Sequence, residues 1–545
     1  MGAALVCAVL AVVCTYFLPI LYSQDSVHYL SIAEHLARGD GYRSSVYLFP
    51  DLMQPPLYPL LIAAGVRLGM SPIVAAVGLC ALAEAASLLV MVALYRASFG
   101  KRGSFVVALS AVVYANVAIG TGLLLEPLYC LLLALATWAA IGQERTSPVA
   151  AVCCGLGVGL ALVTRSEAVL TAGVLGLALL FWPGQKRRVL VCAVALVGAA
   201  AVVVPYGLWM RANLGAFELL PKLRYNVPFA DITDHMDWRP DEASLTARDL
   251  RTHNSLMPSH DRFVLDYAFS HPEFDPRTLF PRRISEPGDR IGLLVRTAYR
   301  MLVDGIRQTG LMQPLVLLLL FGGVLRGVFR PEAIQPDEPD LVHRRSRTVT
   351  LCALVVVNLL PGLLSGENYQ ARFTAPALLF SVPLTVAGID WWIAWIARKW
   401  PRVDSSAARV LVALALLVLY GSRTWRHLSE VGGGPRLEAR AHATDEAMAR
   451  AVPEGSSVLC EHARAAYLRH ASSFQIPYAL DRATLTDYIA HHHIEYALLD
   501  TRLLKKNPGT ENRRLVDRAA WPPEWRLITE LFPNDEPIWI VKLAP

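Results

Sequence analysis

The sequence predicts a mostly α, polytopic membrane protein of about eleven to thirteen transmembrane helices with a small C-terminal α/β domain. Three observations predict it. Long apolar runs alternate with short polar ones as far as Tyr420. Of the 545 residues, 54% are hydrophobic and only 18% charged, where a soluble domain carries about 25% charged residues. Beyond Tyr420 the runs give way to short strand-like and helix-like segments of ordinary composition.

The apolar runs are Ala3–Tyr22, Ile73–Tyr95, Phe105–Leu125, Leu128–Ile141, Val149–Val163, Ala168–Trp182, Val189–Met210, Leu311–Leu325, Val349–Leu364, Phe373–Ile396 and Val410–Tyr420. The first lacks a basic leader and ends in "YSQDS", a poor cleavage site, so it is expected to stay as a transmembrane helix. Pro56–Gly69 opens with two prolines and holds Arg67, which reads as a helix near the membrane surface and not as a span.

Lysine and arginine set the orientation. With the N-terminus in the cytoplasm, the loops "RASFGKRG", "GQERTS", "PGQKRR", "RGVFRPEAIQPDEPDLVHRRSRT" and "ARKWPR" are cytoplasmic and together hold about fifteen basic residues, against few in the short outer loops. The outer side then receives the stretch "QDSVHYLSIAEHLARGDGY" (24–42), the long loop 211–310 and the tail. The net charge of +6 is mostly this topology signal. Its short clusters at membrane edges exclude nucleic acid as a partner. Eight of the nine cysteines lie in apolar segments and only Cys460 in the tail, with no C-x-x-C, so neither a disulfide framework nor a zinc site is expected.

The alternation gathers scattered ionisable residues at the outer ends of spans: Asp25, Glu126, Arg165, Glu167 and Arg372. Charges near hydrocarbon are costly and are functional candidates. Two arginines with carboxylates at one level suit an anionic, membrane-embedded substrate. Plainer readings stand beside this one. Asp25 can cap the helix that Gly39 ends. Glu126 before Pro127 suits a first helical turn. Arg165 and Glu167 can pair with each other, Arg372 can snorkel, Tyr29 can be interfacial packing, and His28 can be a surface histidine.

At these residues the chain resembles a known family. "QDSVHYLSIAEHLARGDGY" followed by "QPPLYPLLIAAG" is similar to the first outer loop of GT-C fold, polyprenyl-phosphate-sugar-dependent membrane glycosyltransferases, those related to protein O-mannosyltransferases and to the lipid A aminoarabinose transferase. "EPLYCLLLALATW", "LALVTRSEAVL", "RANLGAFELLPKLRYNV" and "NYQARFTAPALLF" resemble later landmarks in the expected order. The family often has paired acids in the first loop; here Gln24 and Ser26 flank a single carboxylate, Asp25.

The resemblance implies a catalytic membrane domain over 1–423, with a first outer loop at 23–55, and an extracytoplasmic α/β domain over 424–545. It implies a multi-pass protein of a bacterial inner membrane with its active site outside. It also implies an inverting transfer of sugar from a polyprenyl-phosphate-linked donor to a hydroxyl acceptor on protein, lipid or glycan. Phosphate leaves as an anion without needing a proton, so one base and cationic groups suffice. Asp25 fits the base. Arg372, Arg165 and Lys222 fit the phosphate clamp. Glu126, Glu167, Tyr29 and His28 would orient substrate or tune Asp25. No cofactor follows; a divalent cation stays open. The alternatives are a membrane transporter or lipid flippase, or a non-catalytic scaffold on a GT-C core.

In the tail, "EVGGGPRLEARA" reads as a hinge. Helices are expected at "ATDEAMARAV", "ARAAYLRH" and "LTDYIAHHH", and strands at "SSVLCE", "EYALLD", "WRLITELF" and "IWIVKLA". The run His491–His493 reads as a solvated helix end, with metal binding as the alternative.

Overall fold

The computed structural model describes residues 9, 24–44, 47–50, 54–100, 123–214, 217, 292, 295–299, 301–303, 314–328, 341–364, 371–400, 407–408, 411, 434–460, 463–474, 482–506 and 514–543. Apart from residues 9 and 411, the spans expected at Ala3–Tyr22 and Val410–Tyr420 lie outside these residues, as do most of Phe105–Leu125 and most of the long loop, with Lys222.

The described part of the first outer loop is a helix, α1 (Gln24–Arg38), followed by a hairpin of β1 (Arg43–Ser44) and β2 (Tyr47–Pro50). The chain then forms α2 (Leu57–Arg67), α3 (Pro72–Phe99), α4 (Glu126–Ile141), α5 (Pro148–Leu162), α6 (Ala168–Phe181) and α7 (Arg188–Leu214). After the long loop come α8 (Pro314–Val328), α9 (Leu341–Val357), the one-turn α10 (Leu360–Leu364), a 3-10 turn at Ala371–Thr374 and α11 (Ala375–Lys399). Among the described helices, four are long and apolar enough to cross a membrane: α3, α7, α9 running on into α10, and α11. The shorter α4, α5, α6 and α8, of 16, 15, 14 and 15 residues, extend roughly 21–24 Å at 1.5 Å per residue. α2 is half-buried, with Tyr58, Ile62 and Ala63 inward and Leu60 and Leu61 exposed.

Local chemistry places several helix starts. Ser71 and Ser147 each precede a proline, and their hydroxyls accept from Val74 N (3.3 Å) and Ala150 N (3.1 Å). Each serine caps a helix whose first residue, Pro72 or Pro148, has no amide hydrogen to satisfy. Glycine determines how closely helices approach. A Cβ on Gly155 would run into Ala195 O, and one on Gly198 into Val152 O, so α5 and α7 meet backbone to backbone. Gly323 and Gly388 do the same between α8 and α11, against Leu384 O and Leu319 O. Close backbone approach of this kind drives helix association where no hydrophobic effect operates.

The structure corrects one boundary in an informative way. α9 begins at Leu341, eight residues before the expected span, so the arginines placed in a cytoplasmic loop are inside a helix. Arg344 and Arg347 are buried. Arg347 donates from Nε to Ile141 O (2.8 Å) and from Nη1 to Ala97 O, and Arg345 Nε donates to Val328 O (2.6 Å). Carbonyls at the ends of α3, α4 and α8 have no intrahelical partner, and an apolar surrounding offers no water to replace it. The α9 arginines satisfy them. Beside them Arg326 Nη1 pairs with Asp390 Oδ2 at 2.8 Å, Arg326 Nη2 donates to Phe99 O at 3.3 Å, and Tyr95 donates its hydroxyl to the same carboxylate oxygen at 2.6 Å. This network ties α3, α8 and α11 together.

In the tail, α12 (Gly434–Ala451), β3 (Ser457–Cys460), α13 (Ala463–Leu468), β4 (Ser472–Phe474), α14 (Arg482–His491), β5 (Tyr496–Asp500), α15 (Thr501–Lys506), a 3-10 turn (Arg518–Ala520), β6 (Arg526–Leu531) and β7 (Ile538–Lys542) follow in order. The strands form one sheet in the order β4-β3-β5-β7-β6, parallel across β4, β3 and β5 and antiparallel beyond. Alternate side chains feed two cores. Leu459, Ala497 and Leu499 pack with α14 and Trp539, and Val458, Leu498 and Ile540 pack with α12. The four expected strands form. β4, three residues of "SSF", had no apolar pattern to announce it. The expected hinge is cut short, because α12 starts at Gly434 and Pro435 falls in its first turn, where proline costs no hydrogen bond. At the end of α14 the His492 ring lies 4.8 Å from Tyr488 and 5.1 Å from Phe474, so that histidine packs on the domain and does not simply meet solvent.

Replacing Asp390 with leucine leaves Arg326 buried without its carboxylate, which costs about 3–5 kcal/mol. The purified protein should unfold at a clearly lower temperature in detergent, and the double variant Asp390→Leu/Arg326→Met should recover most of the loss.

Candidate active site

α1 is enclosed. Ser26, Val27, His28, Tyr29, Leu30, Ser31, Ile32 and Ala33 are each at most 1% exposed, so the helix is covered on all sides for two turns. The cover explains why an amphipathic pattern sits inside: His28 Nδ1 lies 3.3 Å from Ser44 Oγ of the hairpin, so the polar face meets polar groups. His28 is therefore a buried histidine and not a surface one. Asp25 lies inside the first turn of α1, partly exposed, not ahead of it as a cap. A carboxylate there is favoured by the unpaired amides of the helix start. Gly39 ends the helix with a φ of 90°, as expected.

One turn from Asp25, on the same helical face, Tyr29 packs edge-on against Tyr58 with centroids 5.2 Å apart. Tyr58 carries the contact inward: its hydroxyl is 3.3 Å from Cys80 Sγ, which is 3.4 Å from Leu124 O. Leu124 stands two residues ahead of Glu126, and Glu126 opens α4, with Pro127 beside it in the first turn. Glu126 is 1% exposed.

Glu126 is held by Arg165, whose Nη1 lies 2.7 Å from Glu126 Oε1 while its Nη2 lies 2.9 Å from Glu167 Oε1. The guanidinium also stands 5.0 Å from the Phe373 ring centroid and 5.7 Å from that of Tyr129. Burial works against the Arg165 charge, but Glu167 and Glu126 outweigh it and hold the group above the usual arginine range. The cluster carries one positive and two negative charges. Both terminal nitrogens of Arg165 have a carboxylate, which is a poor state for a guanidinium meant to grip phosphate. Arg372 lies next to Phe373 in the Ala371–Thr374 turn, with its side chain outside the described residues. That turn follows α9 and α10, where Asn358 donates to Thr171 Oγ1 (3.1 Å) and Leu354 O (2.8 Å) and so joins α9 to α6.

Other contacts bring further loops to the same end. Leu57 N donates to Val163 O at 3.3 Å. Tyr42 donates to Gln54 O at 2.6 Å, and its ring is 5.3 Å from Trp209 of α7. Asp25, Tyr29, Glu126, Arg165, Glu167 and the turn holding Arg372 thus belong to one end of the bundle, and the arginine-capped carbonyls to the other.

Sequence reading missed Tyr58, Cys80, Glu84 and Tyr129. Glu84 is 4% exposed and lies on α3, four residues after Cys80. A lone carboxylate within "GLCALAEAASLL" was a usable signal. Tyr129 is 2% exposed, and its hydroxyl has no hydrogen-bond partner among the described residues. Nothing in "EPLYCLL" set it apart from an ordinary apolar helix.

Residues 53–209 match the family model for dolichyl-phosphate-mannose-protein mannosyltransferase. Comparison with curated protein sequences returns no match. Among solved structures, the Archaeoglobus fulgidus oligosaccharyltransferase in complex with zinc and sulfate is 13% identical, with a TM-score of 0.54 over 98% of this chain and 72% of that one. The apo form of the same enzyme gives 0.53 over 92% and 70%, also at 13% identity. ArnT from Cupriavidus metallidurans bound to undecaprenyl phosphate is 13% identical, with a TM-score of 0.50 over 99% of this chain and 98% of that one. At such identity the likeness is one of fold, and it extends from α1 through the C-terminal sheet. The chain is a polytopic membrane protein of the GT-C glycosyltransferase fold.

Proposed function

We propose that the chain moves a sugar from a polyprenyl-phosphate donor to a hydroxyl acceptor at the membrane face where α1 lies. The observation that carries this reading is the position of Asp25. It sits partly exposed in the first turn of an otherwise enclosed helix, on the face that leads through Tyr29 and Tyr58 to the buried cluster around Arg165. The likeness to ArnT bound to undecaprenyl phosphate supports a lipid-phosphate donor. The match to a mannosyltransferase family model supports glycosyl transfer in general.

In this reading Asp25 takes the proton of the acceptor hydroxyl as its oxygen attacks the anomeric carbon. The C–O bond to phosphate breaks in the same step, the lipid phosphate departs as an anion, and the configuration inverts. The phosphate needs cationic partners. Arg372 is the first of these, because its turn is placed beside the cluster by Phe373. Lys222 is the second. Arg165 takes a different part from the one its sequence position suggested. With both Nη atoms on carboxylates it positions Glu126 and Glu167, and Phe373 against its face aligns the Arg372 turn. Glu126 and Glu167 orient Arg165, and Tyr29 and His28 hold α1.

A divalent cation does not fit the groups described. Glu126 and Glu167 are taken up by Arg165, and no group of three histidine, cysteine or acidic side chains gathers among the described residues. No step is assigned to one.

Asp25→Asn should lower transfer by about 10²–10⁴-fold, the usual contribution of a general base, with donor binding retained. Incubating detergent-purified protein with labelled polyprenyl-phosphate sugar and measuring released lipid phosphate checks this, and undiminished release would remove Asp25 as the base. Arg165→Met leaves Glu126 and Glu167 uncompensated and should destabilise the protein by about 3–5 kcal/mol, read as a lower unfolding temperature. A donor-affinity loss at unchanged stability would instead return Arg165 to the phosphate.

A further inference from the structure

We propose that the C-terminal α/β unit is part of the active-site assembly, with Tyr467 of α13 as a positioning residue that fixes the helix carrying Asp25. This rests on the reading of Asp25 as the base.

The contact joins residues 433 positions apart: Tyr467 donates its hydroxyl to Glu34 Oε1 at 3.0 Å. The Tyr467 ring is 7% exposed and belongs to the same apolar cluster as Val27, Leu30 and Tyr58, not to either core of its own sheet. A second contact lies beside it, where β2 of the first-loop hairpin packs on β4, the edge strand of the C-terminal sheet. α1 is thus held from three directions: by α2 through Tyr29 and Tyr58, by the hairpin through His28 and Ser44, and by the tail through Glu34 and Tyr467.

The third hold differs in kind. α2 and the hairpin are close in sequence to α1, and α2 also reaches its last turn, where Arg67 Nη2 donates to Leu36 O at 2.9 Å. Glu34 lies nine residues beyond Asp25, roughly 13 Å along the axis, so Tyr467, together with Arg67, sets the tilt of the far end. A small rotation there moves Asp25 by a comparable amount, and misplacement by about 1 Å can cost a hundredfold in rate. Glu34 is also within 3.9 Å of the exposed Arg38, an ion pair too solvated to fix the helix alone.

The test uses the full-length protein in detergent, with Tyr467→Ala, Tyr467→Phe, Glu34→Ala and Glu34→Gln. Amide hydrogen exchange is read over residues 24–38 and over β3, β5 and β7, and kcat and KM for donor and acceptor are measured beside it. Tyr467→Ala and Glu34→Ala should raise exchange in 24–38 by about tenfold while the sheet keeps its protection. They should lower kcat by about tenfold or more with the donor KM unchanged. Tyr467→Phe should fall between these and wild type. Glu34→Gln, whose amide oxygen still accepts the hydroxyl, should restore much of what Glu34→Ala loses.

Wild-type exchange in 24–38 for both alanine variants overturns the proposal, whatever the activity. A change confined to the acceptor KM also overturns it, and assigns Tyr467 to acceptor binding. If wild-type protein releases no lipid phosphate at all, the transferase reading fails while the exchange data still decide whether the tail holds α1.

Discussion

Inside the bundle, a charge or an open backbone carbonyl must find its partner in the protein, because hydrocarbon offers none. That constraint organises both ends of the molecule. At one end, helices α3, α4 and α8 finish with carbonyls that have no intrahelical partner, and arginines of α9 supply the donors. At the other, Glu126 is buried at the start of α4 and is tolerable there because Arg165 reaches it from the turn between α5 and α6. Each solution joins helices remote in sequence. The polar groups thus choose which helix ends meet, while glycines such as Gly155 and Gly388 decide how closely the helix bodies pack.

The constraint also accounts for the buried helix α1. A polar helix cannot be enclosed cheaply unless its hydroxyl and imidazole groups are matched, as His28 is by Ser44. Enclosure leaves Asp25 in the first turn partly exposed, while the residues after it are sealed. A carboxylate at the rim of a sealed helix is positioned yet accessible. That combination is what general-base chemistry asks of a side chain, because the base must reach the acceptor without being free to wander.

Much of this was legible in the residues. Apolar length found α3 to α7 and α11, strand alternation found β3, β5, β6 and β7, and loop charge placed Asp25, Glu126 and Arg165 at a shared level. What was not legible needed the third dimension. The arginines of "LVHRRSRT" read as a topology signal because no local pattern tells a loop arginine from one that caps a distant helix. Arg165 read as a phosphate ligand because spacing shows that Glu167 is near but not that Glu126, 39 residues away, takes the other Nη. Glu84 and Asp390 were overlooked although each is a lone carboxylate in an apolar run, the pattern that marks costly and therefore purposeful burial. β4 and the contact of Tyr467 with Glu34 left no trace in the sequence at all.

The paired carboxylates on Arg165 bear on how such a site handles phosphate. A cluster of net charge −1 beside a departing phosphate would oppose its binding if the two met directly. The arrangement favours a site in which the anion is held by other cations and the cluster lies behind them. The Arg165 guanidinium lies over the Phe373 ring, one residue after Arg372 in the same turn. On the proposed reading, the buried cluster is the inner part of the site, fixed at folding, and the Arg372 turn is the part left to meet the lipid.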